Sequence, residues 1–298
     1  MLVRWVIANY YRQAAQKLLE EAIDTATRMW TGEKTAPVPP EHFQYAIVVG
    51  VRLEASEILR RTQPTAMARY GESVEHWGYW NQLPLRVIET GMGEAHALAG
   101  TREALTRRRP QWVCAVGFAA ALREELSPGS LVFPERVVDK AGRALDWQPA
   151  TWPFPNEQPK PQGVLVSLDH VLLTGAERRQ AAEQYGAVIA DQEAAGIVSA
   201  CQAASVPCSV VRVVTDAWDE RLPEEVRRWL RQKSWAGKLG AITGSLLYRR
   251  EKLSELWSWR KRAQDAAEHL ARLFEHAANT KETDGTRTDA EGDRPQSC

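Results

Sequence analysis

Between residues 45 and about 216 the sequence predicts an α/β domain with a largely parallel sheet. Three observations support it. Short β-branched runs alternate with amphipathic stretches, the runs end at glycine or acidic residues, and 298 residues with 44% apolar content suffice for a sizeable core. Strands are expected over 45–51, 85–89, 112–116, 130–133, 164–168, 187–190 and 209–214. Helices are expected between several of them, most clearly over 94–107, 176–185 and 194–204. The segment 147–163 carries Pro149, Pro153, Pro155, Pro159 and Pro161, which remove ladder donors, so it is expected to be a loop of the kind that serves as a lid or subunit contact.

The flanks differ in composition. Ile7, Tyr11, Ala14, Leu18, Ala22 and Met29 recur at helical spacing, and Gly32 with Pro37-Val38-Pro39-Pro40 ends that pattern, so residues 1–40 read as an amphipathic helix and linker. Residues 41–279 form the main domain. Its C-terminal part is expected to be helical, with Pro223-Glu224-Glu225 opening one helix and a long helix over 250–276. The polar stretch 280–298 is expected to be disordered.

Composition excludes several classes. The 38 basic residues are matched by 38 acidic ones, leaving no cation excess for general nucleic-acid binding. No apolar run approaches the roughly 20 residues that span a bilayer. No small-residue cleavage site follows the N-terminal stretch, so a cytoplasmic location is expected. Cys114, Cys201, Cys208 and Cys298 lack metal-ligand spacing and read as reduced thiols, with no zinc or other metal site expected.

Ligands bind at the carboxyl ends of strands in such sheets. Three segments place glycines or carboxylates there: Gly50-Val51-Arg52-Leu53-Glu54, Gly91-Met92-Gly93, and the pair Asp191-Gln192-Glu193 with Arg212-Val213-Val214-Thr215-Asp216. Each has an ordinary alternative. Gly91-Met92-Gly93 suits any tight turn, Glu193 and Asp216 suit helix or loop capping, Asp169-His170 suits a turn, and Arg212 inside an apolar strand needs a buried partner whatever its role.

Considered together, the blocks resemble the nucleoside phosphorylase/nucleosidase superfamily over about residues 45–216. The first strand ends in glycine; a Gly-x-Gly turn follows. Gly117-Phe118-Ala119-Ala120-Ala121-Leu122 and Pro128-Gly129-Ser130-Leu131-Val132 match the next two blocks. Ser167-Leu168-Asp169, Asp191-Gln192-Glu193-Ala194-Ala195-Gly196 and Arg212-Val213-Val214-Thr215-Asp216 match the rest. The resemblance implies a three-layer phosphorylase/hydrolase-like domain with a mixed central sheet and helical additions at both ends. It implies a purine nucleoside substrate, no cofactor, and a homodimer. By that likeness Glu193 holds the ribose hydroxyls, since one carboxylate can accept from two vicinal donors. Asp216 protonates the departing base. Glu54 occupies the slot where phosphorylases place an arginine, so it reads as the base for an attacking water. Gln192, Phe118, Ala119, Asp169, Gly93 and Thr215 would complete the substrate site.

Gly-x-x-x-Glu-Ala at the first strand and Leu239-Gly240-Ala241 in a helical extension look like the hopanoid-associated phosphorylase group, which implies an adenine nucleoside with a bulky 5′ substituent. The Trp-rich N-terminal helix and Trp257/Trp259 would suit either packing on the core or a second subunit, or peripheral membrane contact. Ala120 and Ala121 replace family glycines, Phe118 a small residue and Gln192 a methionine, so the pocket is expected to be reshaped. Two rivals stay open: a phosphate-dependent phosphorylase, and a non-catalytic nucleoside- or lipid-binding scaffold.

Overall fold

The computed structural model describes residues 43–62, 64–80, 83–150, 160–221 and 253–279, the last helix with its side chains over 261–274. The expected N-terminal helix, the core of the proline-rich loop, the helix opened by Pro223, Leu239-Gly240-Ala241, Cys298, the tail 280–298 and the Trp257/Trp259 side chains lie outside these.

The elements run β1 (Tyr45–Val49), α1 (Arg52–Thr62), β2 (Ala66–Tyr70), β3 (Ser73–Trp80), β4 (Leu83–Glu89), α2 (Glu94–Arg107), β5 (Trp112–Ala121), β6 (Leu131–Val132), β7 (Arg136–Val138), β8 (Val164–Ser167), α3 (Gly175–Tyr185), β9 (Ile189–Asp191), α4 (Ala194–Ala203), β10 (Cys208–Asp216) and α5 (Leu253–Asn279). They build one sheet of order β2-β3-β4-β1-β5-β9-β8-β7, with β10 pairing β5 and β6.

The sheet is mixed, as the family resemblance implies, and less parallel than the alternation of strands and helices predicts. β1, β4, β5 and β10 run parallel, and so do β7, β8 and β9. The pairs β2–β3, β3–β4, β6–β10 and β5–β9 are antiparallel. The β2–β3 hairpin turns through Gly71-Glu72, with Gly71 at φ 57°, a left-handed value that glycine adopts without steric cost.

Side-chain alternation along the strands divides the core into layers. Val113, Ala115, Ala119 and Ala121 of β5 pack with Ala97, Ala104 and Leu105 of α2 and Ile197, Val198 and Cys201 of α4. On the other face Cys114 and Val116 pack with Ala55, Ile58 and Leu59 of α1 and Ala266, Leu270 and Phe274 of α5. α3 covers Val166 and Ala190 through Ala181 and Ala182. Helices thus lie on both faces of the sheet. Cys114, Cys201 and Cys208 are buried free thiols, as expected, and burial holds the Cys114 thiol well above its usual range. No described helix is long and apolar enough to cross a membrane.

Candidate active site

The central strand β5 outruns its neighbour. β1 pairs with it only as far as Val48–Ala115, and β9 takes up the same edge only at Ala120–Ala121. A notch in the ladder is left between these pairings, and the chemistry-bearing side chains collect around it.

Glu54 lies in the first turn of α1, immediately beyond β1. Its Oε2 accepts from the Gly50 and Val51 N–H groups at 3.0 and 3.1 Å, and its Oε1 accepts from the Phe118 N–H at 2.8 Å. The last bond spans the notch. It is possible because residue 117 is glycine: a Cβ there would lie 2.8 Å from Glu54 Oε1 and 3.4 Å from the Arg212 guanidinium. Burial pushes the Glu54 carboxyl above its ordinary range, although the three N–H donors and Arg212 pull the other way.

Glu193 follows β9 and is the N-cap residue of α4, yet its side chain makes no capping bond. It reaches instead to the Gly93 N–H, 2.8 Å from Oε1, and lies over Gly50, where a Cβ would be 3.1 Å from its carboxyl carbon. Its Oε2 accepts from the Gln192 N–H at 3.3 Å. Gly93 has φ 90° and Gly91 has φ 95°, so the Gly-x-Gly turn needs glycine at both places. Burial, then the neighbouring Glu54 and Asp191 charges, push the Glu193 carboxyl up to about 8.

Arg212 on β10 is the cation of this cluster. Its Nε and Nη2 donate to Asp191 Oδ2 at 2.9 and 2.7 Å, and Nη1 donates to the Ala115 and Val211 carbonyls at 2.8 Å each. Burial alone would lower its pKa, but Asp191, Glu54 and Glu193 more than offset this. Asp191 also accepts from the Ala194 N–H at 3.0 Å and from Ser167 Oγ at 2.6 Å. The capping role open to Glu193 thus falls to Asp191.

Asp216 ends β10, half-buried, with the Thr215 hydroxyl donating to its Oδ2 at 2.8 Å. Thr215 Oγ1 also lies 3.4 Å from the Ala119 carbonyl, which ties β10 to β5 beside the acid.

The structure therefore brings Glu54, Glu193, Gly93 and Gln192 together, and joins Thr215, Asp216 and Ala119 in a second group. Phe118 contributes its backbone N–H, while its ring packs on the α1/α5 face. Asp169 stands apart: its side chain is 57% exposed and pairs with Lys140 and His170. Ala121 is fully buried in the α2/α4 core, so its methyl group does not line the site; Ala120 is half-buried. Sequence reasoning misses Asp191 as the partner of Arg212, Ser167 as a hydrogen-bond donor, and Gly117 as the gap that Glu54 crosses. A lone arginine in an apolar strand is the signal that could have found the first.

Carboxylates gathered around one arginine at the carboxyl ends of strands lie where sheets of this kind bind ligands, with groups chemically able to move protons. The sequence matches the phosphorylase superfamily over residues 44–161 and 156–243, and the chain belongs to that family. It is 29% identical over 200 residues to the 5′-methylthioadenosine/S-adenosylhomocysteine nucleosidase of Haemophilus ducreyi, a match that spans 58% of this chain and 85% of that one. Among solved structures, the fold is shared with the 5′-methylthioadenosine/S-adenosylhomocysteine nucleosidase of Helicobacter pylori with butyl-thio-DADMe-Immucillin-A, at TM-score 0.54 and 17% identity, over 79% of this chain and 99% of that one. It is also shared with the futalosine hydrolase of Helicobacter pylori, at TM-score 0.54 and 17% identity, over 78% and 97%.

Proposed function

We propose that this chain hydrolyses the N-ribosidic bond of a purine nucleoside, with adenine as the base and a bulky 5′ substituent. The superfamily and its nucleosidase relative make the chain an enzyme acting on N-ribosyl purine nucleosides. The choice of water over phosphate rests on one observation. Where an anion would be bound there is a buried carboxylate, Glu54, and the adjacent Arg212 already has all three of its nitrogens engaged by Asp191 and two carbonyls. Phosphate would be repelled by Glu54 and would have to compete with those acceptors for Arg212.

The chemistry follows from these positions. As the C1′–N9 bond breaks, its electron pair goes to the purine, and Asp216 supplies a proton to the base at N7. A water oxygen bonds to C1′ and gives its proton to Glu54, whose three N–H donors favour its anionic form. Free base and a ribose with a C1′ hydroxyl result. Glu193 accepts from the ribose 2′- and 3′-hydroxyls. With no ribose bound it retains the proton that two neighbouring buried carboxylates share between them. Proton transfer by positioned groups contributes about 100- to 10,000-fold each.

The hopanoid-type 5′ substituent is the finer part of this reading, supported by the resemblance at Gly50–Glu54-Ala55 and the helical extension. A homodimer is expected, with the terminal helices packed on the body of the protein or its partner; vesicle flotation would distinguish that from membrane contact. The deciding assay is adenine release from 5′-methylthioadenosine and from a long-chain 5′-alkyladenosine, with and without phosphate. Release without phosphate is expected, faster for the alkyl substrate. Strict dependence on phosphate would make the chain a phosphorylase and remove Glu54 from its role. Binding without release would make it a scaffold.

A further inference from the structure

Arg178 of α3 is 1% exposed, and burial disfavours its charge. Its guanidinium Nη1 donates to the Ala217 carbonyl at 2.8 Å and to the Glu220 carbonyl, and its Nη2 to the Leu172 carbonyl at 3.2 Å. These carbonyls belong to two separate loops. Leu172 lies between β8 and α3, whereas Ala217 and Glu220 lie in the turn that begins directly after Asp216. The two loops also touch: a Cβ at Gly175 would be 2.9 Å from Asp219 Cα. A capping box, Thr174 with Glu177, fixes the start of α3 from which Arg178 reaches. From the other side Arg262 of α5 grips the Glu220 carboxylate at 2.5 and 3.1 Å, and that carboxylate accepts from the Ala217 N–H at 3.1 Å.

We propose that Arg178 is the positioning residue for Asp216: it latches the turn that follows that acid to the β8–α3 loop. The proposal rests on Asp216 being the acid of the reading above. A buried guanidinium that donates to three carbonyls holds a loop more rigidly than an exposed ion pair, because unmaking it would strand a desolvated charge. Arg178 is faced by Asp216, Glu220, Glu177 and Asp219, whose negative charges favour its buried cation. The Thr215 hydroxyl donates a hydrogen bond to the Asp216 carboxylate.

The test compares Arg178→Met and Arg178→Lys with the wild type in the full chain. Arg178→Met is expected to lower kcat about 10- to 100-fold with KM nearly unchanged, the penalty of a misplaced acid. Arg178→Lys is expected to leave kcat low as well, since an ammonium keeps the charge but not the fork. Hydrogen exchange supplies a readout apart from activity: the amides of residues 217–220 should exchange about 10-fold faster or more in Arg178→Met, with α2 unaffected. A wild-type kcat, a change in KM alone, or unaltered exchange at 217–220 would each overturn the proposal. A wild type that releases no base would count against the functional reading, and the exchange measurement would still judge the latch.

Discussion

Two arginines are buried in the same sheet, and their surroundings differ in one respect. Arg86 on β4 donates to Glu75 and to the Ala104 and Arg108 carbonyls, and Glu75 also binds Arg107, whose guanidinium lies 3.5 Å over the Tyr70 ring. There two arginines share one carboxylate. Arg212 on β10 faces Asp191, Glu54 and Glu193, so one arginine serves three carboxylates. Both clusters bear the cost of desolvating charge. In the first the acid is fully paired, and the cluster holds β3, β4 and α2 together. In the second, burial pushes both Glu54 and Glu193 above their usual pKa range, and for Glu193 the neighbouring Glu54 and Asp191 charges add to that push. Both clusters bury charge; the ratio of carboxylates to arginines is what differs between them.

The largest effects should come from removing the reactive groups. Asp216→Asn and Glu54→Gln are each expected to reduce kcat about 100-fold or more in a folded protein; a folded variant with wild-type turnover would remove that residue from its role. Next, Gly117→Ala puts a methyl group against both Glu54 and Arg212, and should lower kcat about 10-fold or more by shifting the base. Arg86→Met addresses the other cluster. It should cost about 3 kcal/mol or more of stability, read by denaturant titration, while kcat per folded molecule is unchanged. A matching fall in kcat per folded molecule would mean that the two clusters are not separable.

The smallest effect concerns pH. The folded-state pKa of Glu193 lies near 8, above its ordinary value of 4.5, so folding favours its protonated form. The stability it contributes is therefore complete below about pH 4.5 and is lost as pH rises through about 8. The Tm of the ligand-free wild type should fall by about 5 °C across that interval, and Glu193→Gln should flatten the slope. A wild-type Tm that rises across the same interval would contradict the shared-proton account.

Much of this arrangement is legible in the sequence, for reasons that particular residues make plain. The helix over 94–107 has the expected bounds, and Glu54, Glu193 and Asp216 stand out because each follows an apolar strand. α1 is not among the expected helices, although Ala55, Ile58, Leu59 and Thr62 recur at helical spacing and all are buried. Its first turn reads equally well as the end of a strand running into a glycine turn. The β2–β3 hairpin is hidden by Glu75 and His76, which look like surface residues. They are 1% and 4% exposed because they pair with Arg86 and Glu89, 11 and 13 positions away. Partnerships across such distances leave no local pattern. The bond from Phe118 to Glu54 spans 64 positions and that from Arg212 to Asp191 spans 21, so neither the base's holder nor the arginine's purpose can be read from spacing.

The notch beside β5 has a mechanical consequence. Among the described residues, the half-sheet β9-β8-β7 pairs with the rest of the main strand order at Ala120–Ala190 and Ala121–Ile189, with one more backbone bond from the Leu122 N–H to the Val188 carbonyl at 2.9 Å. The seam is reinforced by the bonds from Arg212 to Asp191, and beside it α2 crosses α4. At that crossing lies Gly196, where a Cβ would press on the Glu94 carbonyl and lie 2.8 Å from the Leu98 nitrogen. Gly196 comes three residues after Glu193, and Glu94 comes one after Gly93, so the crossing works as a spacer for the bond between Glu193 and Gly93. The spacing between Glu193 and Gly93 is thus tied to how closely two helices approach, and a single methyl group at that crossing would force the helices apart.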